Sequence, residues 1–391
     1  MTTAVIVDVV RTPSGRGKPG GALSGVHPVD LAATTLTALL ERNGLESRQI
    51  DDVLMGCVSQ VGDQTGNVAR QAVLAAGFDH TVPAVSIDRQ CGSSQQAAHF
   101  AAQGVIAGAY DIVIAAGVES MSRVPLGSAG RGGLDAEGIQ RRYPKGLVNQ
   151  GVSAELIAAR WGLEREELDA YAAQSHERAA DAAAQGRFAA DLLSVETPNG
   201  AVTVDETIRP GTTTEQLAGL APAFRTDELA ERFPDLDWRV TAGNSSPLTD
   251  AASAALIMSE ERAAALGLTP RARFHAFAVV GDDPVMMLTA PIPATRRILE
   301  RAGLSIDDLD AYEVNEAFAS VPLAWQSELH ADPAKLNPWG GALALGHAVG
   351  ASGTRLLGTL LAVLEHTGGR YGLQTMCEGG GMANATIIER L

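Results

Sequence analysis

The chain has 391 residues, 46% hydrophobic and 19% charged, with 46 acidic against 30 basic side chains and a net charge of −16. That is the composition of a globular protein long enough for more than one domain. Its acidic field repels nucleic acid and anionic membrane surfaces. Cys57, Cys91 and Cys377 lie far apart with no CxxC pair, which excludes a zinc knuckle or a thioredoxin-type motif and makes structural disulfides unexpected.

In chain order, "AVIVDVV" (4–10) reads as a strand rather than a leader, and no later apolar run is long enough to span a bilayer, so a cytoplasmic protein is expected. "LLERNGLESRQIDDV", from Leu39, reads as an amphipathic helix, a glycine stop, an acidic turn and a strand. Further strands are expected over "DVLMGCV" (52–58) and "DIVIAAG" (111–117). Between 121 and 239 the alternation breaks. "GSAGRGG", "YPKG", "TPNG" and "RPGTTT" are turn chemistry around one long charged helix, "LEREELDAYAAQSHERAADAAAQ" (163–185). The strand signals resume with "ARFHAFAVVG" (272–281), "DAYEV" (310–314) and "NATIIE" (384–389). Several are continuous apolar runs, as in a sheet covered on both faces, with helices bounded by Gly or Pro between them; the expected class is a layered α/β fold.

The chain also repeats itself. "ILERAGLSIDDLDAY", from Ile298, follows the pattern that starts at Leu39 at an offset of 259, and "RYGLQTMCEGG", from Arg370, is a weaker match to "YDIVIAAGVES", from Tyr110, at an offset of 260. Two duplicated halves are therefore expected: residues 1–268, interrupted by an inserted loop-rich domain over 121–239, and residues 269–391.

Four stretches could carry chemistry. In "DRQCGSSQQAAHF" (88–100), Cys91 precedes a helix, where free N–H groups and the helix dipole would lower a thiol pKa and make a nucleophile; the alternative is a structural buried cysteine. In "GGALALGHAVGASG" (340–353), His347 sits among glycines that allow close backbone approach, as a general base or oxyanion donor, or as a surface-loop histidine. "MCEGGGMANA" places Cys377 at a strand end before glycines whose N–H groups could cradle an oxyanion. "VNEAFAS" places Asn315 and Glu316 after a strand and at the start of a helix, where an ordinary N-cap is the alternative.

Taken in order, "QCGSS", "TAGNSS", "NEAFA", "GGALALGHAVGASG" and "CEGGGM" resemble the thiolases, the acyl-CoA:acetyl-CoA C-acyltransferases, over essentially the whole chain. The resemblance implies a five-layered αβαβα fold of two duplicated halves and a loop domain that binds coenzyme A. It implies Cys91 as the acyl-accepting nucleophile, His347 as its activator and Cys377 as the carrier of the acetyl α-carbon proton. Asn315 would hold a water that forms one oxyanion hole with His347, and the N–H groups of Cys91 and Gly379 would form the other. Ser246 in "TAGNSS" matches a coenzyme A-contacting serine, and Arg209 in "ETIRPGTT" a basic residue near the adenine. No metal and no permanently bound cofactor is implied; coenzyme A and acyl-CoA are substrates. A homotetramer, with a dimer as its unit, is expected, "GSAGRGG" lying where many thiolases join dimer to dimer.

The chain departs from the usual pattern at Gln90 before the nucleophile, at Ser94, at Ala348 after the histidine and at Gln150 in the loop domain. These departures bear on substrate, and "DRQCGSSQQ" with "NQ" resembles most the actinobacterial thiolases of steroid degradation. The expected activity is thiolytic cleavage of a 3-ketoacyl-CoA in fatty-acid or steroid degradation, or its Claisen reverse. Biosynthetic acetoacetyl-CoA thiolase is the nearest rival, a non-catalytic thiolase-like acyl-CoA carrier and a cysteine hydrolase the more distant ones.

Overall fold

The structure, a computed structural model, describes residues 2–130 and 132–391. The first half runs β1 (Ala4–Arg11), β2 (Gly15–Arg16), α1 (Pro28–Asn43), β3 (Asp52–Gly56), α2 (Val68–Ala75), β4 (Ala84–Ile87), α3 (Ser93–Ile106) and β5 (Ile112–Ser120). The long insertion carries α4 (Glu137–Arg142), α5 (Gln150–Arg160), α6 (Arg165–Ala184), the hairpin β6 (Val195–Thr197) and β7 (Gly200–Val202), α7 (Thr214–Ala218) and α8 (Asp227–Arg232). The chain then returns through β8 (Thr249–Ser259) and α9 (Glu260–Leu266). The second half is β9 (Ala272–Gly281), α10 (Pro291–Ala302), β10 (Ala311–Val314), α11 (Ser320–Leu329), α12 (Ala342–Leu345), α13 (Ser352–Thr367), β11 (Tyr371–Glu378) and β12 (Met382–Arg390).

The main sheet follows one path, β10–β11–β12–β9–β1–β8–β5–β3–β4. It contains one strand order twice: β3–β5–β8–β1, then β10–β11–β12–β9. The copies meet only where Val5 and Ile6 pair with Arg273 and Ala272. Their registers agree. Val53 opposes Ile114 in the first half and Tyr312 opposes Leu373 in the second, each shifted by 259 (312 − 53 and 373 − 114). Both α1 and α10 open on proline and end on a left-handed glycine, Gly44 at φ 61° and Gly303 at φ 66°. The duplication seen in the sequence is thus a duplication of topology.

Side-chain alternation builds the layers. On the first half-sheet, Val53, Ile112 and Ile114 face Leu31, Leu36 and Leu39 of α1. The opposite faces of both half-sheets, through Ile6, Ile257 and Ile388, close on α3 and α13, which supply Ala97, Ala101, Leu357 and Leu360. The outer face of the second half-sheet, with Leu373 and Ile387, packs on Ile298 of α10 and Trp325 of α11. Helices, sheet, paired helices, sheet and helices make the five-layered αβαβα arrangement.

All six expected strands form. β8 was not foreseen as one. Its "TDAASAALIMS" is alanine-rich, which favours helix by propensity, yet it lies between β1 and β5 with every residue buried, and that position in the sheet overrides propensity. The insertion is stitched to both halves. Val195 enters the core under α1, and Arg11 is buried between Asp191 and Asp205. On the other side, Ser175 of α6 donates to Glu316, beyond β10. Residues 125–130 and 132–133 are exposed; Arg131, within the "GSAGRGG" segment, lies outside the described residues.

The two central helices touch near their N-termini. Thr354 N–H donates to Ser94 Oγ at 3.1 Å, and a Cβ on Gly353 would run into the backbone nitrogen of Gln95. Gly353→Ala is expected to cost about 1–3 kcal/mol by overpacking, read as a lower urea midpoint at unchanged m. Gly138→Ala, where nothing lies within 4 Å, is the control and should leave the midpoint unchanged or raise it.

Candidate active site

Cys91 stands two residues before α3, and Cys377 is the penultimate residue of β11. Both are buried, at 4% and 1% exposure. Cys91 packs with Met121, Val349, Leu356 and Met376, so its neighbours come from beside His347 and beside Cys377. Cys377 faces Met287, Ala317 and Phe318 on the other side of its strand. Gln90 and Met287, flanking the two thiols, hold left-handed backbone at φ 50° and 46°, a strain that packing around a site must sustain.

His347 lies in the turn before α13. Its N–H donates to Thr249 Oγ1 at 3.0 Å, which fixes the ring's origin. Ser352 Oγ donates to the Ala348 carbonyl at 2.9 Å, so it accepts from His347 Nδ1–H at 2.7 Å. Assigned from this network, the tautomer leaves Nε2 as the acceptor, taking a long hydrogen bond from Asn315 Nδ2–H at 3.4 Å. Asn315 Oδ1 is buried without a partner, as expected of an amide that holds a water. Among the described residues, no backbone carbonyl takes the Cys91 or the Gly379 N–H. Gln90 Oε1 lies against Gly379, where a Cβ would approach to 2.8 Å.

The motif segments are tied to one another. Ser246, half-buried, donates its N–H to Ala317 O at 3.0 Å, and Ala319 N–H donates to Asn244 O at 3.0 Å. Asn315 and Glu316 do not start a helix, since α11 begins at Ser320; the N-cap alternative therefore falls. Glu316 instead accepts from Tyr171 Oη, Ser175 Oγ, Asn337 Nδ2 and Leu343 N–H at 2.7–3.1 Å, which moors the insertion to the site. Glu119, at the end of β5, accepts from Val58 N–H, Ser59 N–H, Gln64 Nε2 and Gly350 N–H, which holds the turn after His347. Sequence reasoning missed Glu119 and Ser352. The signals were an acid ending an apolar strand and a serine five residues after the histidine. Arg209 stands apart: it is exposed, and its N–H donates to His176 Nδ1 at 3.2 Å, with no contact to the thiols.

The electrostatics reverse one expectation. Burial first, then Glu378, pushes the Cys91 thiol up to about 12, so the helix N-terminus does not win. Burial, then Cys91 itself and Glu378, raise Cys377 well above a normal thiol. Burial, then Arg355, hold His347 down to about 3. The resting site is two neutral thiols and a neutral imidazole whose Nε2 is an acceptor. Such a set can activate a thiol only by passing a proton, and can hold developing negative charge with unspent N–H groups.

The thiolase N-terminal domain model matches residues 4–261 and the thiolase C-terminal domain model residues 268–390. The chain belongs to the thiolase family. This thiolase is 48% identical to the steroid 3-ketoacyl-CoA thiolase FadA6 of Mycobacterium tuberculosis, over all of this chain and 95% of that one. It is 44% identical to the 3-ketoacyl-CoA thiolase of Shewanella frigidimarina over the whole of both. The crystal structure of Bacillus anthracis acetyl-CoA acetyltransferase superposes with a TM-score of 0.88 at 36% identity, covering 100% of this chain and 99% of that one. As a thiolase the protein is an acyltransferase, and no helix among the described residues is long and apolar enough to cross a membrane.

Proposed function

We propose that this thiolase cleaves a 3-ketoacyl-CoA by ping-pong chemistry through an acyl-Cys91 intermediate. The observation that carries this is the pair of buried thiols on neighbouring segments with a neutral histidine held as the Nδ1–H tautomer. Cys91 passes its proton to His347 Nε2 as its sulfur attacks the C3 carbonyl. The C2–C3 bond breaks, and the electron pair goes to C2, which takes a proton from Cys377 and leaves as acetyl-CoA. A second coenzyme A gives its thiol proton to Cys377 and attacks acyl-Cys91; the departing Cys91 sulfur takes back the proton held on His347 Nε2, and the shortened acyl-CoA is released. The unspent N–H groups of Cys91 and Gly379 suit one oxyanion, and Asn315 with a water and His347 the other. Residues 121–239 and Ser246, beside the Ala317 carbonyl, take the coenzyme A, with exposed Arg209 toward its adenine end. Two thiols that must stay reduced support a cytoplasmic location.

The two cysteines should fail differently. Cys91→Ala abolishes acyl-enzyme and turnover. Cys377→Ser lowers turnover by about 10²–10⁴-fold, the usual worth of a matched proton carrier, but still gains an acetyl group at Cys91 from acetyl-CoA. Intact mass spectrometry and deuterium exchange into the acetyl methyl group read the two effects. Exchange at the wild-type rate in Cys377→Ser rules that residue out as the base, and release of free acid rather than acyl-CoA rules in a hydrolase.

For substrate we infer a bulky 3-ketoacyl-CoA of steroid or fatty-acid degradation, which the 48% identity to a steroid thiolase supports and to which Gln90 and Gln150 are suited. Catalytic efficiency on a ring-bearing 3-ketoacyl-CoA should match or exceed that on acetoacetyl-CoA. The opposite preference favours the biosynthetic alternative, which the likeness to an acetyl-CoA acetyltransferase supports.

For assembly we infer a homotetramer built from dimers. β4 ends the sheet with an open edge, and Val85 on it and Phe100 and Ile106 on adjoining α3 are 41–44% exposed, which suits edge-to-edge pairing of two copies. Sedimentation at micromolar concentration should find a tetramer, and Val85→Arg should shift it toward smaller species. A wild-type monomer overturns this.

A further inference from the structure

Glu378 follows Cys377 but takes no part in the chemistry above. It ends β11, is wholly buried, and points to the opposite face from Cys377, the face that Met376 shares with Cys91. Its carboxyl lies on Gly92, the residue after Cys91; a Cβ there would run into Oε1. The group therefore fills the space between the two thiol-bearing segments.

Its hydrogen bonding is sparse. With the Asn384 amide turned so that its oxygen accepts from Gln96 N–H at 3.2 Å, its nitrogen donates to Glu378 Oε1 at 3.1 Å. Oε2 is buried with no partner among the described residues. Arg89 acts on the carboxyl only from a distance, its own Nη1 lying 3.9 Å from Met382 Sδ. An ionised carboxylate with one amide donor and one empty oxygen is far costlier to bury than the acid. The contrast is Glu316, whose two oxygens receive four donors.

We propose that Glu378 is a positioning residue for the thiol pair: as a neutral acid it packs beneath Gly92 and lets the sulfurs ionise, and as a carboxylate it opposes the thiolate at Cys91 and at Cys377. This rests on the thiol-pair function above. Burial lifts the group to about 8, Arg89 and a backbone hydrogen bond from Asn384 lowering it and Asp88 raising it. The charge it would gain bears on both thiols, and on Cys91 Glu119 and Asp88 add to it. The sign follows. Below about pH 8 wild type and Glu378→Gln present the same neutral group. Above it only the wild type gains a charge, which raises its thiol pKa values and lowers its thiolate fraction.

The test is the rate of Cys91 alkylation by iodoacetamide from pH 6.5 to 10, read by peptide mass spectrometry in wild type and Glu378→Gln. The ratio of variant to wild-type rate should be near one at the acid end and climb to roughly tenfold above pH 9, as for a one-unit shift from a like charge. Glu378→Leu, neutral without the amide, should follow the same climb, and Glu378→Asp should not. A ratio that stays constant across pH means a structural role alone and overturns the proposal. Wild-type Cys91 that resists alkylation at every pH overturns the nucleophile assignment itself, and this proposal with it.

Discussion

The constraint on which the site depends is the close approach of α3 and α13 over the ends of β3 and β5. Gly56 and Gly117 lie directly beneath the first residues of α3 and the Gly350 carbonyl, and Gly353 lies against Gln95, so no side chain fits between these elements. Because the two helices are equivalent under the internal repeat, one contact brings the same structural position of both halves to one place. The crevice beyond strand ends is where open α/β sheets gather their ligands. Here it is made twice and folded onto itself. What precedes the helix differs between the halves: a thiol at Cys91 in one, the His347 turn in the other.

Buried carboxylates divide by function according to how many donors they receive. Glu119 and Glu316 each accept four hydrogen bonds and act as fixed anchors, one holding the turn after His347 and one mooring α6 and α12. Glu378 and Glu313 each keep a buried oxygen without a partner, and burial lifts both to about 8. For Glu313 the cation acting on it is Arg355, whose own Nη1 and Nη2 are unpartnered and which is lowered to about 10. Rigid geometry and adjustable charge are thus assigned to different acids, in the case of Glu313 and Glu316 only three residues apart.

What was legible in the sequence was what depends on neighbours along the chain: six strands from apolar runs, two halves from a repeat of 259 residues, and the family from short motifs around Cys91, Asn315, His347 and Cys377. What was not legible depends on neighbours in space. β8 is a strand because β1 and β5 flank it. Glu119 matters through Gly350, 231 positions on, and Glu378 through Gly92. The pKa of Cys91 was misjudged for the same reason: a helix N-terminus can be read from "CGSSQQ", but the burial that outweighs it is contributed by Met121, Val349 and Met376.

That misjudgement points to how such a site can work. A thiol lifted by burial and an imidazole held down by burial do not keep a standing thiolate–imidazolium pair; each ion separately is disfavoured. Charge then becomes favourable only when an acyl group arrives whose oxygen can carry it toward the unspent N–H groups of Cys91 and Gly379. A buried neutral thiol is also a poor target for oxidants and stray electrophiles, which act on thiolate. The same dryness that keeps the Cys91 thiol unreactive at rest therefore also protects it.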